Sequence, residues 1–263
     1  MLRFGCHNFI NSMPILYGLK RKPADCLLTP DNPRAIARLL REGALDVAIV
    51  PAIEYPLNAD YLIVPDACIA ANGPVASVNL YHRKPFAEIR HIALDSCSLT
   101  SVVLIKIIME KCFKARPAYS STSRTKMEDL ARAEADATLV IGDEALSRPP
   151  AGYEVLDLSE QWRRMTGLPF VFAVCCMRRG TDLGGFREAL RASLAEGLAH
   201  VAEIAAEAAA ESGLPVERVK SYLSRNLRYV LGKEEREGLR RFYAEAAAAK
   251  LCPEERELEF YRG

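Results

Sequence analysis

Short, unbroken apolar runs alternate with segments of helical periodicity along the first two thirds of the chain. Runs without polar alternation predict buried strands at residues 2–9, 45–50 and 62–71. Between them, residues 14–20 and 32–42 place apolar side chains on one helical face. Strands that are apolar on both faces are typical of parallel sheets covered by helices on each side. The pattern therefore predicts an α/β fold with parallel sheets.

The same alternation starts again after residue 84. Predicted strands at 92–94 and 138–141 flank a predicted helix at 102–112. From residue 184 onward the pattern is helical, with further helices predicted at 216–229 and 234–248. We therefore predict a repeated α/β cycle followed by a helical C-terminal tail.

Two similar cycles predict two lobes. Lobe one comprises residues 1–83 and 173–263, and lobe two, residues 84–172, is inserted within it. Extended segments near 75–83 and 170–177 would cross between the lobes. This layout predicts a hinged protein with a cleft between its halves, which is a preferred place for small ligands.

Charge and hydropathy exclude several classes of partner. The 263-residue chain carries 35 Lys and Arg against 34 Asp and Glu, a formal net charge of +1. A balance so near zero gives no basic patch, so we expect neither nucleic acid nor an anionic membrane as a partner.

No run approaches the roughly 18 apolar residues of a membrane span. Because the first residues lack a basic segment followed by an apolar one, we expect a cytoplasmic protein.

The eight cysteines predict neither a disulfide framework nor a metal site. No pair has Cys-x-x-Cys spacing, and zinc sites usually take close-spaced pairs of ligands. We expect buried thiols, above all at Cys6, Cys68, Cys175 and Cys176. The sequence also contains no phosphate-binding glycine loop, no His-Glu-x-x-His and no Gly-x-Ser-x-Gly, so it indicates no nucleotide, metal or nucleophilic serine.

Polar turns occur where two predicted strands lead into predicted helices. Lobe one has Asn11 and Ser12, and lobe two has Ser98, Thr100 and Ser101. A helix N-terminus presents free N–H groups and the positive end of the helix dipole, so hydroxyl and amide donors there suit a carboxylate or a phosphate. Ordinary capping is the alternative at each turn, but it needs only one of the three hydroxyls in lobe two.

Other polar side chains follow predicted strands. Glu54 comes after the strand at 45–50, and Gly142 with Asp143 comes after the strand at 138–141. The carboxyl ends of strands face the ligand crevice in open α/β sheets, so these residues are candidate substrate contacts. A solvated helix start or a tight turn is the alternative.

Ser77 and Asn79 interrupt an apolar strand that is predicted to cross between the lobes. A cleft is the simplest reason for polar groups there, and a local backbone hydrogen bond is the alternative. Phe170 is predicted to lie in the core or to floor the cleft. His7 is a lone histidine in a strand, and we expect a structural role for it.

Five segments in order carry a resemblance to a known family. They are GCHNFINSMPILYGL at 5–19, GALDVAIVPAIEY at 43–55, LD and SLTSV within 94–102, IGDEAL at 141–146, and WR and TGLPFVFA within 162–173. Together they resemble the MqnA family of chorismate dehydratases, which act in menaquinone biosynthesis. The helical tail fits less specifically.

The resemblance implies a periplasmic-binding-protein-like (type II) fold that works in the cytoplasm as an enzyme without a cofactor. The family converts chorismate into 3-[(1-carboxyvinyl)oxy]benzoate and water, on the futalosine route to menaquinone. It implies that Asn11 and Ser77 are active-site residues. It also implies that Ser98, Thr100 and Ser101 face the ligand, where they would hold either the ring carboxylate or the enolpyruvyl carboxylate.

Two other functions are compatible with the same fold. One is a non-catalytic small-carboxylate-binding protein, against which the lack of an export signal argues. The other is the sister enzyme 1,4-dihydroxy-6-naphthoate synthase, which relies on a histidine in the second lobe, where His91 is the one within residues 84–172. Asn8-Phe9 and Pro51-Ala52 depart from the family's usual Ser-Tyr and serines at these positions. We expect both departures near the cleft.

Overall fold

The computed structural model describes residues 1–22, 26–123, 125–130, 132–253 and 256–262. The strands are β1 (Leu2–His7), β2 (Cys26–Asp31), β3 (Val47–Pro51), β4 (Tyr61–Ala71), β5 (Val78–His82), β6 (His91–Asp95), β7 (Ala118–Thr122), β8 (Ala137–Ile141), β9 (Glu154–Asp157) and β10 (Phe170–Arg178). The helices are α1 (Met13–Arg21), α2 (Pro33–Arg41), α3 (Glu54–Leu57), α4 (Thr100–Phe113), α5 (Met127–Leu130), α6 (Leu158–Thr166), α7 (Phe186–Ala199), α8 (Val201–Ser212), α9 (Val216–Ser221) and α10 (Lys233–Ala248). Short 3₁₀ turns cover Ile10–Ser12, Phe86–Glu88 and Asp143–Leu146, and a π-helical turn covers Tyr222–Asn226.

Two five-stranded sheets share one topology. The first has the order β2-β1-β3-β10-β4 and the second β7-β6-β8-β5-β9. In each sheet the first three strands in that order are parallel, and the fourth is antiparallel to both of its neighbours. The chain therefore builds the same lobe twice, as the repeated α/β cycle predicted.

The expectation of purely parallel sheets is wrong, because both sheets are mixed. β10 runs antiparallel to β3 and β4, and β5 runs antiparallel to β8 and β9. These are the strands that the chain forms as it crosses from one sheet to the other, so their direction is reversed. Unbroken apolar composition reports burial of both faces of a strand and does not report its direction.

β5 belongs to the second sheet, although the predicted boundary at residue 84 assigned it to lobe one. All its residues are buried, and it is hydrogen-bonded to β8 on one side and β9 on the other. The chain thus leaves the first sheet after β4 and enters the second at Val78. A boundary at residue 84 would separate β5 from both of its partners.

The tail is helical as predicted, but the helix predicted over 216–229 ends early, at Asn226. After the π-helical turn the backbone becomes extended, and Arg228 pairs with Ala70 at the edge of β4. The amides of Cys68 and Ala70 donate to the carbonyls of Tyr229 and Arg228. An edge strand with unpaired backbone groups therefore recruits this segment out of the helix.

β2 and β9 were not predicted from the sequence. Each is an outer strand of its sheet, and each has several exposed or half-buried residues. Neither carries the long apolar run that reveals a buried strand.

α10 joins the two lobes at the hinge. It packs against β10 of the first sheet and against α4 of the second lobe, where Lys111 pairs with Glu245 at 3.2 Å. Beneath it, the rings of Trp162, Phe170 and Phe242 contact one another edge to face. The tail thus supports the hinge as well as lobe one.

The expected burial of Cys6, Cys68, Cys175 and Cys176 is confirmed. Loss of hydration raises the pKa of the Cys6 thiol to about 12, so it stays protonated. Within the described part of the chain, none of the helices combines the length and apolar composition that crossing a membrane requires.

Candidate active site between the two sheets

A cavity lies where the two sheets face each other, and it holds about 540 Å³ of empty space including its open mouth. Its wall comes from the carboxyl ends of β1, β3 and β8, from β10, from the segment that crosses to the second sheet, and from the start of α4. The residues that line it are His7, Phe9, Asn11, Pro33, Pro51, Ile69, Val75, Ser77, Val78, Cys97, Ser98, Leu99, Thr100, Ser101, Ile141, Gly142, Phe172 and Ala173.

The polar groups of this wall are uncharged donors from both lobes. Asn11 and Ser77 stand on one side, and the hydroxyls of Ser98, Thr100 and Ser101 stand at the N-terminus of α4. All of them are buried. Among the described lining residues there is no Asp, Glu, Lys or Arg. An anion in this cavity would be held by hydrogen bonds and by the dipole of α4.

The start of α4 is free to bind a ligand because no side chain caps it. Leu99 is the residue before the helix, and no cap hydrogen bond is formed there. The first N–H groups of a helix have no partner within the helix, so they remain available. Thr100 accepts a 3.3 Å bond from the amide of Ile53, which ties the turn to the first lobe.

The corresponding turn in lobe one differs from the expected cap. Asn11 and Ser12 form a 3₁₀ turn ahead of α1, and neither side chain caps the helix. Ser12 does not line the cavity. Its hydroxyl lies 2.6 Å from Nδ1 of His7 and 3.3 Å from Oδ1 of Asn11, so it holds the residues that do.

Several other predicted substrate contacts also lie outside the cavity wall. Glu54 is buried in an ion pair with Arg41 at 2.5 Å, on the side of β3 that faces α2. Phe170 is part of the aromatic cluster at the hinge and does not floor the cleft. A position at the end of a strand places a residue near the crevice, but the turn that follows decides where its side chain points.

Asn79 and Asp143 act on the wall indirectly. The Asn79 amide donates to the carbonyl of Ala76 at 2.9 Å, next to Ser77. Asp143 follows the lining residue Gly142 and accepts a 3.0 Å bond from the amide of Ile10 across the cleft. Burial raises the pKa of Asp143 to about 6, while the Ile10 bond opposes that rise.

Further contacts hold the lobes together over the cavity. Arg34 donates to the carbonyl of Ser96 at 2.7 Å, and the ring of Phe9 lies close against Gly142. A Cβ at Gly142 would come within 3.0 Å of that ring, and the φ of +73° there also favours glycine. These contacts join the two lobes beside the cavity.

Two residues at or behind the cavity wall, His7 and Tyr222, were not predicted from the sequence as part of the site. His7 lies at the end of β1 and lines the cavity, and burial lowers its pKa to about 4, so the ring is neutral near pH 7. Tyr222 lies behind the wall and donates to Ser77 at 2.8 Å. The position of His7 at the end of a parallel strand could have indicated that it faces the cavity. Tyr222 is 145 residues from Ser77, so no local sequence pattern indicates their contact.

The family departures at Phe9 and Pro51 do fall on the cavity wall. By contrast, His82 and His91 of the second lobe lie outside it. His82 is buried with Nδ1 2.9 Å from the carbonyl oxygen of Lys84, and the Nε2 of His91 lies 2.7 Å from Ser120. In the described residues no group of three or more His, Cys, Asp or Glu side chains is placed to hold a metal ion.

Two lobes of one topology, two crossing segments and a cavity at the strand ends define the class of two-lobed binding-protein-like folds. Solved structures of this class are similar to the chain over most of its length. A protein of Archaeoglobus fulgidus, AF1704, superposes with a TM-score of 0.78 at 19% identity, covering 95% of this chain and 98% of that one. The periplasmic aliphatic sulphonate-binding protein SsuA of Escherichia coli gives 0.68 at 17% identity, covering 100% and 94%. The predicted fold is confirmed.

The sequence places the chain more narrowly. A family model described as menaquinone biosynthesis matches residues 2–248, and the chain belongs to this family. A protein of Thermus thermophilus named chorismate dehydratase is 33% identical over 240 residues, which cover 84% of this chain and 86% of that protein. The resemblance to the MqnA family is thereby confirmed.

Proposed function

We propose that the protein is a chorismate dehydratase of menaquinone biosynthesis, a carbon–oxygen lyase that forms 3-[(1-carboxyvinyl)oxy]benzoate and water from chorismate. The observation that carries the proposal is the cavity with uncharged donors from both lobes. The Thermus thermophilus relative named chorismate dehydratase supports the choice of substrate.

The cavity suits a small ring with two carboxylates. Phe9, Leu99 and Phe172 offer apolar surface for the ring. The turn at Ser98 and the pair Asn11–Ser77 offer donors to a carboxylate on each side. Neutral donors hold an anion without fixing it in a permanent ion pair, and a buried site strengthens each of these bonds.

The reaction removes a proton from ring carbon 3 and a hydroxyl from carbon 4. As the C3–H bond breaks, its electron pair spreads through the ring double bond into the ring carboxylate, which is conjugated with it. The pair then returns to form the aromatic ring and expels the C4 hydroxyl, which leaves as water with the proton. Donors at Ser98, Thr100 and Ser101 aimed at the ring carboxylate would stabilise the developing charge.

We assign the proton abstraction to the substrate's own enolpyruvyl carboxylate. In the described wall there is no Asp or Glu, and the imidazole of His7 is engaged by Ser12 in a buried place that disfavours its cation. The protein would then hold the reactive conformer, and orientation alone can contribute about 7–11 kcal/mol. Asn11 and Ser77 would position that carboxylate or the departing hydroxyl.

Lobe closure serves this chemistry by excluding water. The contacts of Asp143 with Ile10 and of Arg34 with Ser96 form across the mouth of the cavity. A closed site keeps the enolpyruvyl carboxylate desolvated and close to its target. The reaction changes no oxidation state overall, so we propose that it needs no cofactor.

The direct test is to incubate the purified protein with chorismate and follow substrate and product by liquid chromatography and mass spectrometry. We expect chorismate to be replaced by a product lighter by one water, with an aromatic absorbance. The rate should be the same after treatment with a chelator. Tight binding of chorismate without turnover would contradict the proposal and favour the binding protein.

A further inference from the structure

Tyr222 is a buried residue that contacts Ser77 on the cavity wall. It is 1% exposed and lies at the start of the π-helical turn in the tail. Its hydroxyl donates to Oγ of Ser77 at 2.8 Å. π-Helical turns inside helices occur frequently at functional sites.

A count of protons orients this chain of hydrogen bonds. A hydroxyl has one proton to donate, and Tyr222 gives its proton to Ser77. Ser77 already accepts from Tyr222, so its own proton is free to point into the cavity.

The backbone of Ser77 is fixed independently. The preceding residue, Ala76, has a φ of +65°, a conformation that residues other than glycine rarely adopt. Its amide donates to Oδ2 of Asp157 at 2.7 Å, and its carbonyl accepts from Asn79 at 2.9 Å. Because the main chain is held in this way, the hydrogen bond from Tyr222 sets the direction of the Ser77 hydroxyl.

We propose that Tyr222 is a positioning residue that makes Ser77 a hydrogen-bond donor to the substrate. The inference rests on the proposed dehydratase function. Ser77 would donate to the enolpyruvyl carboxylate or to the departing hydroxyl, both of which carry oxygen lone pairs. Tyr222 itself does not line the cavity.

The test is the substitution Tyr222→Phe, which removes the hydroxyl and keeps the ring. We expect kcat on chorismate to fall by about tenfold with KM changed less than about threefold. The reason is that the hydrogen bond from Ser77 to the substrate stabilises the transition state, where charge develops, more than the bound substrate. In a Ser77→Ala background the same change should cost less than about twofold, since Tyr222 acts through Ser77. A merely structural tyrosine would give the same loss in both backgrounds.

Two other buried tyrosines provide matched controls. Tyr229 lies in the same part of the tail, and its buried hydroxyl has no hydrogen-bond partner among the described residues, so Tyr229→Phe should leave kcat unchanged. Tyr243 donates to the carbonyl of Ala52 at 2.7 Å. Tyr243→Phe should lower the melting temperature as Tyr222→Phe does, but keep kcat within about threefold of the parent.

The outcomes separate the two proposals. An active parent whose Tyr222→Phe variant keeps full kcat, or loses as much activity with Ser77→Ala as without it, overturns the inference alone. A parent that leaves chorismate unchanged overturns the proposed function, and the inference falls with it. A non-additive loss that neither control reproduces supports the positioning role.

Discussion

Individual side chains in this protein act through neutral hydrogen bonds, and Asn11 is the central example. It lines the cavity, and its Oδ1 accepts from the hydroxyl of Ser12 at 3.3 Å. Ser12 thus supports Asn11 from outside the cavity wall. Replacement of Asn11 should affect the chemical step more than the fold.

We predict that Asn11→Ala lowers turnover of chorismate by at least about tenfold, because an oriented donor or acceptor at the reacting atoms is lost. Steady-state kinetics on the purified variant measure this. Asn58→Ala is the matched control, because it also removes a side-chain amide. The Asn58 amide donates a 2.7 Å bond to the carbonyl of Glu54, away from the cavity. A loss of less than tenfold at Asn11, or an equal loss at Asn58, would remove Asn11 from the mechanism.

At this scale the sequence predicted the residues whose type and local position carry the signal. Ser98 and its neighbours are three hydroxyls at one helix start, and Ser77 is a polar residue in an apolar strand. Tyr222 has no such signal, because its role depends on a contact made when the tail folds back on the crossing segment. Glu54 differs from that expectation for the opposite reason, since it follows a strand as predicted but its side chain pairs with Arg41 outside the cavity wall.

Helices and strands set the positions of these side chains, and the packing of α1 against α7 is the tightest case. A Cβ at Gly197 of α7 would lie 2.1 Å from the carbonyl oxygen of Pro14 in α1. Ser193 adds two bonds between the helices, donating to Ile15 and accepting from Leu19. Because the turn with Asn11 leads directly into α1, the position of α1 also fixes the position of Asn11.

We predict that Gly197→Ala separates α1 from α7, lowers the free energy of unfolding by about 1–3 kcal/mol and reduces turnover. Chemical denaturation and the chorismate assay measure the two effects. Gly185→Ala is the control, because a Cβ at Gly185 would meet no atom within 4 Å and its φ is −81°. Unchanged stability of the Gly197 variant would show that α1 is not held as the structure indicates.

The alternation of elements was predictable because apolar periodicity is local. Strand direction and sheet membership were not, as β5 and β10 show. Both look like any other buried strand, and their reversal follows from the path of the chain between lobes. The loss of helix near Arg228 likewise comes from the unpaired edge of β4, which the tail sequence does not contain.

At the scale of the whole molecule, Asp143 lies in a contact between the two lobes and makes that contact depend on pH. With the lobes in contact, burial raises its pKa from 3.8 to about 6, and the hydrogen bond from the Ile10 amide opposes that rise. When the lobes open, the carboxyl is hydrated again and its pKa returns toward 3.8. A raised pKa in the closed form means that closure is favoured below about pH 4 and that this advantage is lost as the pH rises through 6.

We predict that raising the pH from 5 to about 7.5 expands the ligand-free parent more than it expands Asp143→Asn. Small-angle X-ray scattering measures the radius of gyration. Burial lowers the pKa of His7 to about 4, so its hydration on opening acts in the opposite direction and favours the open form at low pH in both proteins. The same change of radius with pH in both proteins would show that the Asp143 carboxyl does not govern closure.

The central claim is that two lobes hold a small dianionic acid through uncharged donors on opposed sides of one cavity. A crystal structure with 3-[(1-carboxyvinyl)oxy]benzoate bound tests it most directly. The account predicts one carboxylate within about 3 Å of the hydroxyls at the start of α4 and the other beside Asn11 and Ser77. A ligand bound outside this cavity, or held by lysine or arginine side chains, would contradict it.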